Sequence, residues 1–224
     1  MNTVFNIFLV LHIASGFTAL GTGLTAIVTR KGGKSHKKSG KVYYWSMLGV
    51  SVSSFALSLL HTNHFLFMVG LLSLYLTVSG NRSLLFKRKD FRATRTDWGL
   101  AIFCGIGVAA LVGYLLSRIP ITHGMMPVIV VFATVLLAHV LRDGLWYAGK
   151  VKRPSNYWLR RHIGRMMGAY IATTTAFVVV NVQTDPMWIA WLAPTVLFTP
   201  LGTYFERKFT PRRKKAKMNA AAGA

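Results

Sequence analysis

"GGKSHKKSGKVYYWSM" (residues 32–47) decides how the rest of the chain is read. Four lysines (Lys34, Lys37, Lys38, Lys41) surround one histidine, His36, and the chain then passes without a break into an apolar run that begins at Val42. Such a stretch is a nucleic-acid patch, a membrane anchor or the rim of a site. The position of the remaining charge separates these readings.

Five acids (Asp90, Asp97, Asp143, Asp185, Glu206) face 27 Lys and Arg in 224 residues, a formal net charge of +22. A basic soluble domain would explain the charge, but 53% of the residues are hydrophobic and mean hydropathy is +0.43. Apolar runs long enough for a hydrocarbon core of roughly 30 Å recur at 4–29, 42–61, 65–80, 98–117, 125–141, 163–182 and 187–205, the third being short. The expected fold is an all-α integral membrane bundle of seven transmembrane helices.

If seven helices alternate in direction, the segments 30–41, 82–95 and 142–161 and the C-terminal stretch from Arg207 share one side. They hold 25 of the 27 cations, leaving Arg118 on the opposite side and Arg165 inside the sixth run. Short loops rich in Lys and Arg stay cytoplasmic, so the N-terminus is expected outside and the C-terminus inside a bacterial cytoplasmic (inner) membrane. The charge then serves anionic lipid headgroups, with no nucleic-acid role. Residues 1–209 form one transmembrane domain, and residues 210–224, "TPRRKKAKMNAAAGA", are expected to be a disordered basic tail. The first apolar run lacks a basic leader and reaches Val28, too long for a secretory signal. Trp and Tyr near the ends of the runs read as interfacial anchors.

The runs that open with His36 and His162 begin alike: "HKKSGKVYYWSM" (36–47) and "HIGRMMGAY" (162–170) each place a histidine before a glycine, a cation and a methionine. This suggests two parallel three-helix units around a linking fourth helix, a 3+1+3 pseudo-repeat of the kind found in small transporters.

The seven histidines are the candidate chemical groups. His12 (within the first run), His61, His64 and His123 form an outer set; His36, His139 and His162 form an inner one. Neutral imidazole ligates haem iron or other metals, and facing helices of a bundle can supply such ligands. The candidate cofactor is haem b, with His12 and His61 or His64 as outer ligands and His139 with His162 or His36 as inner ones. Gly16, Gly21 and Gly23 would leave room for the macrocycle, or serve close helix packing. Arg165 lies on one face with His162 and would snorkel to bind a lipid phosphate, a propionate or a quinone carbonyl. Interfacial solvation or a hydrogen bond to a neighbouring helix explains the same histidines without a cofactor, and Asn181 reads as such a bond.

Several chemistries are set aside. Cys104 is the only cysteine, so no intrachain disulfide or cysteine-based metal cluster forms. No lysine stands in the seventh run for a retinal Schiff base, and no H-E-x-x-H, G-x-S-x-G or P-loop pattern occurs. Every carboxylate reads as lying outside the interior of the runs, which counts against a transporter coupled through buried acids.

"LHIASGFTALGTG" (11–23), "KSHKKSGKVYYWSM" (34–47), "LYLTVSGNRSL" (74–84) and "HIGRMMGAYIATTTAFVVVN" (162–181) together resemble a bacterial family of multi-pass membrane proteins defined only as a domain of unknown function. The resemblance covers roughly residues 10–200 and picks out His12, His36, Gly40, Gly80, Arg82, His162, Arg165, Met166 and Asn181. It departs mildly at Asn81, where an aromatic often stands, and at Lys37, where arginine is usual. It implies the membrane topology and favours His36 and His162, but implies no activity. The function expected is membrane redox transfer through haem b, exchanging electrons with quinone or a membrane redox partner. The alternatives are a small transporter or flippase-like module for an anionic or lipid-like substrate, or a non-catalytic membrane subunit.

Overall fold

A computed structural model describes residues 2–88, 90–118, 126–151, 156–186 and 188–210. Within them the chain forms seven α-helices and no strand. These are α1 (Asn2–Val28), α2 (Lys34–Leu60), α3 (His64–Arg82), α4 (Arg95–Leu116), α5 (Met126–Tyr147), α6 (Tyr157–Asn181) and α7 (Trp188–Phe209); a 3-10 turn, Ser83–Lys87, continues α3. Helices α1 to α6 are long and apolar enough to cross a membrane. Helix α7, with Pro194, Pro200 and the charged Glu206, Arg207 and Lys208, is not among them. His123 and the tail beyond Thr210 lie outside the described residues.

Side-chain contacts place the helix ends in two layers. At one end the close of α1 meets the start of α2 (His36 to Ala26), the close of α3 meets the starts of α4 and α6 (Arg82 to Asp97, His162 to Gly80), and the start of α6 meets the close of α7 (Arg160 to Glu206). At the other end Phe5 packs on His61, His64 on Tyr114, and Phe65 on Phe132 and Trp191. The helices therefore alternate in direction, and the loops rich in Lys and Arg gather at one end, hereafter the basic end.

Polarity is inverted relative to a soluble protein. Val28, Leu59 and Val180 are 72%, 78% and 82% exposed, while Ser51, Ser53 and Thr77 are 0% exposed. Lipid tails are as apolar as these side chains, so nothing drives them inward and helices associate by close packing and hydrogen bonds. The buried serines bond back along their own helices, Ser51 to the carbonyl of Met47 at 2.9 Å and Ser54 to that of Val50 at 2.7 Å. Helix α3 is the most buried and touches α2, α4, α5 and α6; α1 is the least buried and lies along α2.

At the end away from the basic loops, the helices and the apolar runs agree to within two residues. At the basic end α2, α5 and α6 depart from the runs by six residues or more. Helix α2 starts at Lys34, eight residues before its apolar run, so "KSHKKSGK" is helix and not loop. At 27 residues it is about 40 Å long, so its basic turns project beyond the core. Helix α5 continues past residue 141 to Tyr147, closing at Gly149, whose φ of +72° is costly for other residues. Helix α6 starts at Tyr157 rather than at 163. The packing does not repeat across the two halves. Helix α1 lies close along α2, whereas α5 and α6 have no pair of Cα atoms within 8 Å among the described residues.

Candidate functional site

Extension of α5 and α6 carries a charged group into the bundle. Asp143, four residues before the end of α5, is 0% exposed, and Arg161 and Arg165 of α6 are 6% and 4% exposed. The expectation that every acid lies outside the spans is thus corrected. A hydropathy reading ends α5 at Arg142–Asp143 because it sees two charges, whereas the helix continues because those charges have partners.

Asp143 Oδ2 accepts from three donors: Tyr75 Oη at 2.6 Å, Arg161 Nη2 at 2.6 Å and Arg165 Nη2 at 2.8 Å. Arg161 Nη2 also donates to Tyr147 Oη at 2.7 Å, and Arg165 Nη1 donates to Ser79 Oγ. Phe86, Trp146 and Tyr147 stand 5.5, 5.3 and 5.5 Å from the Arg161 guanidinium carbon. Among the described residues its Nε and Nη1 have no hydrogen-bond acceptor, and the three rings offset their desolvation through cation–π attraction. Arg165 lies 5.1 Å from the centre of Tyr75 in the same manner. Arg165 therefore does not snorkel, because a buried carboxylate holds it inside. The cluster joins α3, α5 and α6, and it is where α5 and α6 meet.

One turn before Arg165, His162 Nδ1 lies 3.0 Å from the carbonyl oxygen of Gly80 on α3. A carbonyl only accepts, so Nδ1 carries the proton and a neutral ring keeps a bare Nε2. Gly80 permits the approach: a Cβ there would stand 3.0 Å from Arg165 Cβ and 3.1 Å from Met166 Cε. His36, in the first turn of α2, repeats the arrangement with Nδ1 3.0 Å from the carbonyl oxygen of Ala26 on α1. His36 and His162 lie within electrostatic range of each other. Gly40, one turn beyond His36 on the same face, would meet nothing within 4 Å if it carried a Cβ. The structure thus brings two half-buried imidazoles within electrostatic range, each fixed at Nδ1 and, among the described residues, without a hydrogen-bond partner at Nε2.

The other histidines are apart. His12 Nδ1 lies 3.0 Å from Ser53 Oγ, and that hydroxyl donates to the carbonyl of Gly49 at 2.6 Å, so His12 is the donor. His61 packs on Phe5, 4.4 Å between centroids, seven residues before His12 on α1 and so roughly 10 Å along the axis. His64 is 5.8 Å from Tyr114 on the α3–α4 side. His139 sits two turns from the end of α5, among the charges of Arg165, Asp143, Arg142 and Arg161. Gly23 offers no space for a macrocycle, since a Cβ there would stand 2.6 Å from the Tyr170 ring; Gly16 and Gly21 meet nothing within 4 Å. Arg82 clasps Asp97 with both ends of its fork, at 2.7 and 2.8 Å, and Asp97 also accepts from the Thr94 N–H at 2.8 Å at the start of α4. Asn181 bonds to its own helix at the carbonyl of Phe177.

Among the described residues, no three His, Cys, Asp or Glu side chains form a cage for a metal ion. Two imidazoles, each held at Nδ1 by a backbone carbonyl, suit an axially ligated iron better than a tetrahedral ion, which takes three or four protein ligands. Comparison with family models, curated proteins and solved structures found no match.

Asp143 and Arg161 are the site residues that sequence reasoning missed. One signal was available: Tyr75, Asp143, Arg161 and Arg165 all fall within a few turns of the basic end of alternating helices, where an acid among so many cations is conspicuous.

Proposed function

We propose that the chain is a redox protein of a bacterial inner membrane, holding a haem b group between His36 and His162 and passing electrons to quinone or a membrane partner. All seven helices would span, with the N-terminus outside and the basic end in the cytoplasm by the positive-inside rule. We assign it to the bacterial multi-pass family that its four motifs resemble. The observation that carries the reading is the pair of imidazoles with Nδ1 committed to the carbonyls of Ala26 and Gly80 and no partner at Nε2 among the described residues. Ligating histidines characteristically donate their second nitrogen to such an acceptor, which fixes the tautomer and the ring plane. Haem would supply one-electron chemistry. The chain supplies two neutral ligands on separate helices and a surrounding of cations that favours the propionates.

The test is the visible spectrum of detergent-purified protein from haem-supplied cells, as isolated and after dithionite. A Soret band that sharpens on reduction, disappears in His36→Ala and His162→Ala and survives in His139→Ala is expected. A colourless protein, or colour retained in both of the first two variants, would overturn the reading.

Asp143 favours a second reading. A carboxylate buried between two arginines inside a span is the kind of group on which an anion or proton transporter is built. Substrate-dependent flux in proteoliposomes by a colourless protein, abolished in Asp143→Asn, would select it.

A further inference from the structure

Helices α1 and α7 have no pair of Cα atoms within 8 Å among the described residues. Between their basic ends lies a cleft of about 790 Å³. Its inner walls are apolar, with Ile27 and Val28 on α1 and Leu201 and Phe205 on α7, and its mouth carries Arg30, Lys31 and Lys208. Val28 is 72% exposed, so the cleft opens laterally to whatever surrounds the bundle.

Among the described residues no carboxylate pairs with the cations at the mouth, and two of them are held by neutral partners. Lys31 donates to the carbonyls of Ala26 at 3.1 Å, Ile27 and Thr29, and its ammonium lies 4.2 Å from the centre of the Phe205 ring. These bonds close the C-terminus of α1 and leave the positive charge at the cleft. Lys208 donates to Tyr204 Oη at 3.1 Å, another neutral partner. The nearest acid in sequence, Glu206, is paired with Arg160 and does not line the cleft.

We infer that the α1–α7 cleft is a binding site for an anionic phospholipid, with the acyl chains between Ile27 and Leu201 and the phosphate at Arg30, Lys31 and Lys208. Charge complementarity selects the occupant. An apolar floor under a triad of cations with no carboxylate fits a lipid that carries net negative charge and disfavours a zwitterionic one, whose amine would add a fourth cation. The level of the cleft agrees: it sits where the apolar parts of α1 and α7 give way to charge, which is headgroup depth. This site stands independently of the haem reading.

The test places a reporter in the cleft. Full-length Phe205→Trp protein, whose indole preserves the cation–π contact, is reconstituted in phosphatidylcholine vesicles containing a minor fraction of brominated phosphatidylglycerol or, separately, brominated phosphatidylcholine. Quenching at residue 205 is taken against the wild-type background; Val28→Trp on the opposite wall replaces it if the first variant does not fold. Quenching by the brominated anionic lipid should correspond to local enrichment on the order of fivefold for each cation at the mouth. It should fall on the order of twenty-five-fold in Arg30→Gln/Lys208→Gln, which leaves Lys31 to close α1. Equal quenching by the two brominated lipids, enrichment that survives the double substitution, or displacement of the lipid by inorganic phosphate would each overturn the assignment.

Discussion

Helix pairs α1–α2 and α5–α6 are both consecutive antiparallel pairs, yet they are held by opposite means. Along α1–α2 the backbones approach closely: at Gly49 a Cβ would stand 2.6 Å from Ser15 Oγ, and His12 donates to Ser53 at 3.0 Å. Phe5 on His61 closes one end and His36 on Ala26 the other. Every contact is neutral and individually small. Helices α5 and α6 stand apart and meet around Asp143, shared by Arg161 and Arg165 in the interior, with Trp146 and Tyr147 packed on Arg161 and Trp146 on Tyr157 beside it. A distributed seam tolerates loss of any one contact, whereas a concentrated one fails with its central group. Lipid provides no hydrophobic drive between helices, so the two seams should differ in their sensitivity to single substitutions.

The largest expected effect is at Asp143. Asp143→Ala leaves two buried guanidinium groups without their carboxylate and should cost about 3–5 kcal/mol, read as unfolding in mild detergent. Exposed Arg142→Gln, one residue earlier, should stay within about 0.5 kcal/mol. If the two variants unfold alike, α5 is held elsewhere and the contrast between the seams fails. A sharper version removes all the charge: Asp143→Leu/Arg161→Leu/Arg165→Leu leaves no unpaired ion and should be less destabilised than Asp143→Ala alone.

A middle-sized effect is expected where α3 meets α6. Gly80→Val places branched carbons into space already 3.0 Å from Arg165 Cβ, and overpacking of this kind costs about 1–3 kcal/mol. It should also part His162 from the Gly80 carbonyl, so the variant should retain less chromophore than wild type in the spectrum described above. Gly16→Ala, where a new Cβ meets nothing within 4 Å, should be neutral or slightly stabilising, since alanine favours helix by about 1 kcal/mol. Loss of stability in Gly16→Ala equal to that in Gly80→Val would make general helix disturbance, rather than the α3–α6 approach, the cause.

The same division explains what the sequence makes legible. The helix ends away from the basic loops follow from hydropathy to within two residues because there apolar composition and helix stop together. At the basic end they part. Lys34 to Lys41 is polar by composition yet helical, and Asp143 and Arg161 look like loop charges yet are buried. Hydropathy scores a residue alone, whereas burial of an ion depends on a partner that is 18 residues distant for Asp143 and Arg161 and 68 for Asp143 and Tyr75. The like surroundings of His36 and His162 are visible in the sequence, but the reach of their Nδ1 atoms to backbone carbonyls depends on the packing of α1 on α2 and α3 on α6. Hydropathy gives the outer histidines a common depth, and depth does not show that His61 packs on Phe5 and His64 on Tyr114.

The smallest effect, at Ser53, is the most direct examination of the distributed seam. Ser53→Ala removes the acceptor of the His12 Nδ1 proton and leaves a methyl in its place, with no change of backbone. Interhelical hydrogen bonds of this kind average about 0.6 kcal/mol in membrane proteins, because a freed polar group finds another partner in the same bundle. His12 is half-buried and can turn toward such a partner, so the cost should stay near that average and far below that of Asp143→Ala. Serine at 53 also bonds back to its own helix at Gly49, so the comparison variant is Ser51→Ala, which loses only the bond to Met47. The difference between the two alanine variants isolates the interhelical part. If Ser53→Ala costs as much as Asp143→Ala, the α1–α2 seam is concentrated at His12 after all, and His12 becomes a site residue rather than a packing one.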